Sequence, residues 1–139
     1  MLKQNIINFF SNKHVDKSGH YLLGTASKDI VQTLSSNTDK IVISEQTILK
    51  NINHHKDLIV ENYENLYKIV GKFDILIKDG KHTVGIVNYD FGNYYYALKT
   101  TKTLNTIFLT SFRKTSSHDI KRLKNKLQKG KIEIIKGNI

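Results

Sequence analysis

The sequence predicts an α+β fold: N-terminal helices packed on an antiparallel four-stranded β-meander, followed by a basic C-terminal helix and an edge strand. Three observations point there. Apolar residues at helical spacing dominate up to Val70, and from Phe73 the pattern changes to β-branched and aromatic runs separated by turn residues. A single helical stripe then returns near the C-terminus, and helices followed by a block of strands are the mark of an α+β arrangement. The chain has 139 residues, 39% of them hydrophobic, with seven Tyr and six Phe, enough for one buried core.

Residues 1–40 read as an irregular, partly helical lead-in. Ile6, Ile7 and Phe10 predict a short helix, residues 19–24 a turn region, and Ser27 the cap of a helix whose Ile30, Val31 and Leu34 share a face. Ser35 to Asp39 reads as a loop. The chain is expected to form one compact domain overall, and its denser second part, residues 41–139, opens with the apolar run Ile41-Val42-Ile43. Ser44 is the expected N-cap of the next helix, and Glu45 in its first turn favours the positive end of the helix dipole. Ile48, Ile52 and His55 follow at spacings of four and three, on one face. Tyr63, Leu66, Tyr67 and Val70 predict a second helix over 60–70, closed by Gly71.

The meander strands are predicted at 73–77, 83–89, 94–101 and 106–113, with turns at Asp79-Gly80, at residues 90–93 and at Lys102 to Asn105. A helix over 117–129, capped by Ser116 or Ser117 and stopped at Gly130, turns Ile120, Leu123 and Leu127 inward and its lysines outward. Residues 131–135 read as an edge strand.

Lys and Arg number 22 against 12 Asp and Glu, a formal net charge of +10. A polyanion is the natural partner, because each phosphate neutralised by Lys or Arg releases condensed counterions. There is no cysteine, which excludes disulfides and thiolate metal sites, and the six histidines show no metal-ligand spacing. We therefore expect no metal and no cofactor. No apolar run approaches the roughly 18 residues of a membrane span, and the N-terminus has no signal-peptide pattern. The expectation is a cytoplasmic protein, or a domain delivered by another system, with no membrane partner.

Alternation along the third and fourth strands puts Tyr95, Ala97, Lys99 and Thr101 on one face and Ile107, Leu109, Ser111 and Arg113 on one face. With Leu98, Phe108 and Phe112 turned to the core, Lys99, Ser111 and Arg113 emerge together as a phosphate clamp. Cleavage of RNA without a metal needs little more. A base removes the ribose 2′-OH proton, cations stabilise the phosphoryl oxygens, and an acid protonates the leaving oxygen. Histidine suits the acid or base role because its ordinary pKa lies near neutrality, and the candidates are His54 and His55 at one helix end and His118 at the start of the basic helix. Tyr95 offers a ring for base stacking. Lys121 and Arg122, with the other cations of the last helix, would steer RNA in.

Three segments carry a family resemblance: Ile43 to Tyr63, the Y-Y-Y-A-L-K-T-T of Tyr94 to Thr101, and the I-F-L-T-S-F-R-K-T-S-S-H-D-I of Ile107 to Ile120. They resemble phage-associated nuclease domains grouped with barnase, EndoU, the tRNA-cleaving colicins and RelE. The resemblance covers roughly residues 41–130. It implies a bacterial or phage-encoded, toxin-like, metal-independent endoribonuclease, with RNA (tRNA included) as substrate and an acidic antitoxin or immunity protein as partner. The family's His matches His55, its strand Lys matches Lys99, and its Thr-Ser and Arg match Thr110, Ser111 and Arg113. The Ser before its last helix matches Ser117. His54 doubles the histidine, and a lead-in stands where a large carrier protein is usual. Two other classes stay open: a catalytically silent RNA- or DNA-binding module, and a phage or mobile-element structural accessory protein.

Overall fold

The computed structural model describes residues 2–90 and 92–139; Met1, and Phe91 of the predicted 90–93 turn, lie outside the described residues. The fold is α+β, with five helices and a seven-stranded mixed sheet among the described residues. In chain order these are α1 (Leu2–Ser11), β1 (Tyr21–Thr25), α2 (Lys28–Leu34), β2 (Lys40–Ile43), α3 (Glu45–His54), α4 (Val60–Ile69), β3 (Ile75–Asp79), β4 (His82–Tyr89), β5 (Gly92–Thr100), β6 (Ile107–Lys114), α5 (Ser117–Gln128) and β7 (Glu133–Lys136). No helix among the described residues is long and apolar enough to cross a membrane.

The expected meander is present as β3 to β6, all antiparallel neighbours, but it is the middle of a larger sheet ordered β1-β2-β6-β5-β4-β3-β7. Four strands was therefore too few. The residues read as a turn at 19–24 supply β1, which pairs antiparallel with β2, and β2 in turn pairs in parallel with β6. Short strands of four or five residues carry too few alternations to announce themselves. At the other edge β7 pairs with β3.

The lead-in is part of the core. Ile6 and Phe10, one helical turn apart, are buried with Leu23, Ile30 and Leu34 in the same cluster as Ile43, Leu66, Tyr96 and Phe112. Phe10 meets the rings of Tyr21 and Tyr63, both with centroids 5.6 Å away, and Phe9 meets Tyr67 edge-on. The sheet's opposite face is partly covered by α5, which buries Leu123 against Ile77, Val84, Ile86, Tyr95 and Ala97. Leu127, expected inside, is 39% exposed: the last turn of α5 lies at the end of β3, where the neighbouring Lys126 bonds Asp79. The part of that face left uncovered carries the site.

Candidate active site

Two local features of β6 place its side chains. The first is a β-bulge. Ala97 pairs with Ser111, but Leu98 pairs with Leu109, so Thr110 is an extra residue in β6. Simple alternation therefore fails across it. Ile107, Leu109 and Phe112 all face the helix-covered core, whereas Phe108, Ser111 and Arg113 join Tyr95, Ala97 and Lys99 on the other face. The expectation that Ile107 and Leu109 share a face with Ser111 and Arg113 is overturned, as is the burial of Phe108 beside Phe112. A bulge re-aims side chains in this way and is common beside active sites.

The second feature is α3. β2 pairs with Ile107 and Phe108, and beyond them β6 has no strand partner on that side among the described residues. The polypeptide turns into α3 there, with Ser44 as N-cap accepting from the Thr47 N–H. Asn51 of α3 then accepts from the Phe112 N–H and donates to the Phe112 carbonyl, both at 2.9 Å, and also donates to Tyr63 Oη. One side chain thus replaces the missing strand and fixes the C-terminal end of α3 against β6.

That end of α3 and the bulge enclose a cavity of about 350 Å³ lined by Lys50, Asn51, His54, His55, Thr110, Ser111 and Arg113. His55 is the C-cap residue, outside the helical stripe to which the sequence assigned it, and is half-buried. Burial, and after it the nearby Arg113 charge, hold the His55 pKa below the ordinary 6.5. The His54 side chain is exposed, with its ring centroid 6.5 Å from that of His55. Thr110 donates its hydroxyl to the Ala97 carbonyl at 3.3 Å.

Arg113 is held from two sides. Its guanidinium lies 3.8 Å from the Tyr95 ring centroid and donates to Asp119 Oδ1 at 3.0 Å. Asp119 is itself fixed as the third residue of a capping box, accepting from the Ser116 N–H and Ser116 hydroxyl at α5. Burial pushes the Asp119 pKa up, but the bonds from Ser116 and the Arg113 charge outweigh it, leaving it below the usual carboxylate range. Tyr95 is accordingly a platform for Arg113, 7% exposed.

Lys99 lies four residues beyond Tyr95 on β5, about 13 Å along the strand, and lines the adjoining cavity of about 400 Å³ with His20, Ser44, Thr47, Phe108 and Thr110. Thr101 and Lys99 both line a third cavity at the end of β4 and β5. The remaining expected residues are on α5. Ser116, not Ser117, is the cap, and Ser117 is the first helical residue; Ser117, His118, Lys121 and Arg122 are exposed, with Arg122 at 3.5 Å from Asp119. Sequence reasoning missed Lys50, Asn51, Asp119, His20 and Phe108. Of these only Asp119 carried a local signal, the S-x-x-D spacing of a capping box. Among the described residues no group of three or more His, Asp or Glu side chains is placed to share a metal ion.

Compared with known proteins, the chain matches no family model, and no curated protein or solved structure matches it.

Proposed function

We propose that the protein is a metal-independent endoribonuclease, toxin-like in kind, as the resemblance to the barnase, EndoU, colicin and RelE class implies. The observation that carries the reading is Arg113, immobilised by Tyr95 and Asp119 and lining one cavity with His55 and Ser111. A cation fixed in advance is what charge stabilisation in a transition state requires, since no reorganisation is then needed as the charge grows.

In this reading neutral His55 accepts the 2′-OH proton. The O2′ attacks the adjacent phosphorus, the P–O5′ bond breaks, and the departing O5′ takes a proton from His54, leaving a 2′,3′-cyclic phosphate and a 5′-hydroxyl. Arg113, helped by the Ser111 hydroxyl, neutralises the charge on the non-bridging oxygens. Thr110 contributes to the shape of the bulge, its hydroxyl proton being engaged at Ala97. Lys99 holds a neighbouring phosphate, and the α5 cations Lys121 and Arg122 add to the field that draws RNA in.

The test is incubation of purified protein with total RNA in EDTA, beside His55→Ala and Arg113→Ala. Discrete cleavage by the wild type, lost in both variants, supports the reading. RNA that stays intact at high protein concentration overturns it and favours a non-catalytic RNA- or DNA-binding module. Recovery with a small acidic protein as a stoichiometric complex would add an inhibitor partner of the antitoxin or immunity kind.

A further inference from the structure

The cavity of His55 and Arg113 does not stand alone. It shares Thr110 with the cavity of Lys99 and Phe108, and that one shares Lys99 and Thr100 with the third cavity, of about 380 Å³. The third cavity is lined by Lys78, Lys81, His82, Lys99 and Lys102 among others. Burial, and after it the Lys99 charge, lower the His82 pKa. None of the described residues lining the three cavities is acidic, although the chain has 12 Asp and Glu. The carboxylate closest in sequence to this end, Asp79, is occupied by Lys126 at 2.9 Å.

From Tyr95 beneath Arg113 to Thr101 in the third cavity is six residues of strand, about 20 Å. That is too long for one nucleotide and suits several consecutive phosphates. Between these ends, beside Lys99, Phe108 is half-buried in the second cavity, its ring edge-on to His20 with centroids 4.9 Å apart. A half-exposed ring in a cationic groove fits an unpaired base, whose face is free to stack, and does not fit a duplex, whose bases are already stacked. His20 lines a cavity with Ser44 and Thr47 at the start of α3, whereas His55 caps its other end, and the ten-residue helix between them is about 15 Å long. They therefore serve different nucleotides, not one phosphate.

We infer that the three cavities form a continuous track for single-stranded RNA, in which Lys78, Lys81 and Lys102 bind phosphates several nucleotides away from the one beside His55 and Arg113. This rests on the RNA reading of the His55 cavity, but it requires no cleavage.

Binding of 2′-O-methyl oligonucleotides, which lack the attacking hydroxyl, tests it by fluorescence anisotropy. Affinity should rise at least tenfold between two and ten nucleotides. In Lys78→Gln/Lys81→Gln/Lys102→Gln that gain should disappear, and the slope of log affinity against log salt should fall by about 2, roughly 0.7 for each phosphate no longer neutralised. An equal loss of charge in Lys124→Gln/Lys129→Gln/Lys131→Gln should leave the gain in place. Phe108→Leu should weaken the decamer several-fold. Affinity independent of length, equal weakening by both triple variants, or a duplex bound as tightly as the single strand would each overturn the track. If length-dependent binding holds while RNA is never cut, the track stands and the ribonuclease reading falls. If RNA is cut but a dinucleotide is processed as fast as a decamer, the reverse is true.

Discussion

The amide of Asn51 and the backbone of Phe112 exchange two hydrogen bonds of 2.9 Å, the N–H of Phe112 to Oδ1 and Nδ2 to the carbonyl of Phe112. Both partners are buried, with Asn51 4% exposed. The C-terminal end of α3, and with it His55, owes its position on β6 to this pair. Asn51→Ala should therefore destabilise the fold by about 3 kcal/mol, since it leaves two buried backbone groups without partners. Chemical denaturation measures this, and a change below about 1 kcal/mol would show that water or a shifted helix replaces the amide.

Protonation of His55 should be harder in the folded protein than in the unfolded chain. Burial and Arg113 lower its pKa from 6.5, so as pH falls below 6.5 the unfolded chain binds the proton first. The His55 contribution thus favours unfolding progressively from pH 6.5 down to the folded pKa, and is constant below it. Proton NMR titration of the imidazole should give a value under 6.5 that rises in Arg113→Gln. The acidic limb of a cleavage profile should move up with it.

Arg113 should not tolerate Lys. An ammonium cannot both lie flat on Tyr95 and bond Asp119 in the same geometry, so Arg113→Lys should lower kcat by about 10²-fold or more, within the range for loss of one preorganised donor. Asp119→Asn frees the guanidinium and weakens the α5 cap, so it should lower kcat while costing about 1 kcal/mol of stability. Cleavage kinetics and thermal unfolding together separate the two effects. Wild-type kcat in Arg113→Lys would remove Arg113 from the chemistry.

Gly85 lies under the Tyr96 ring, and a Cβ there would run into the ring carbons and hydroxyl. Tyr96 is fully buried and its hydroxyl donates to the Lys72 carbonyl, so the ring has nowhere to go. Gly85→Ala should destabilise by about 1–3 kcal/mol, as overpacking does. A melting temperature unchanged from wild type would mean that the strands separate more easily than their register suggests.

A fragment of residues 41–139 should fail to fold. Removing residues 1–40 strips Ile6, Phe10, Leu23, Ile30 and Leu34 from the main core and leaves β2 as a bare edge. Poor dispersion in a nitrogen–proton NMR spectrum is the expected result. A well-dispersed spectrum would make the N-terminal segment an appendage after all.

The sequence by itself determined the helices after the Ser27 and Ser44 caps, the last helix down to a choice between Ser116 and Ser117 as its cap, the four meander strands, and the charge that makes a polyanion the expected partner. These depend on neighbours within a few residues, where a cap, a turn or an apolar period is written locally. Only the tertiary structure decided that Thr110 bulges out of β6, so that Ser111 and Arg113 turn away from Leu109. Only it decided that Asn51 stands in for a strand, that Tyr95 and Asp119 grip Arg113, and that Lys99 serves a neighbouring cavity. Those are pairings between segments far apart in the chain. A bulge depends on how two strands register, and the partner of a side chain depends on what the fold brings beside it. The positive charge was legible as a sum; its division into one held guanidinium and a row of lysines along a groove is a property of the packed sheet.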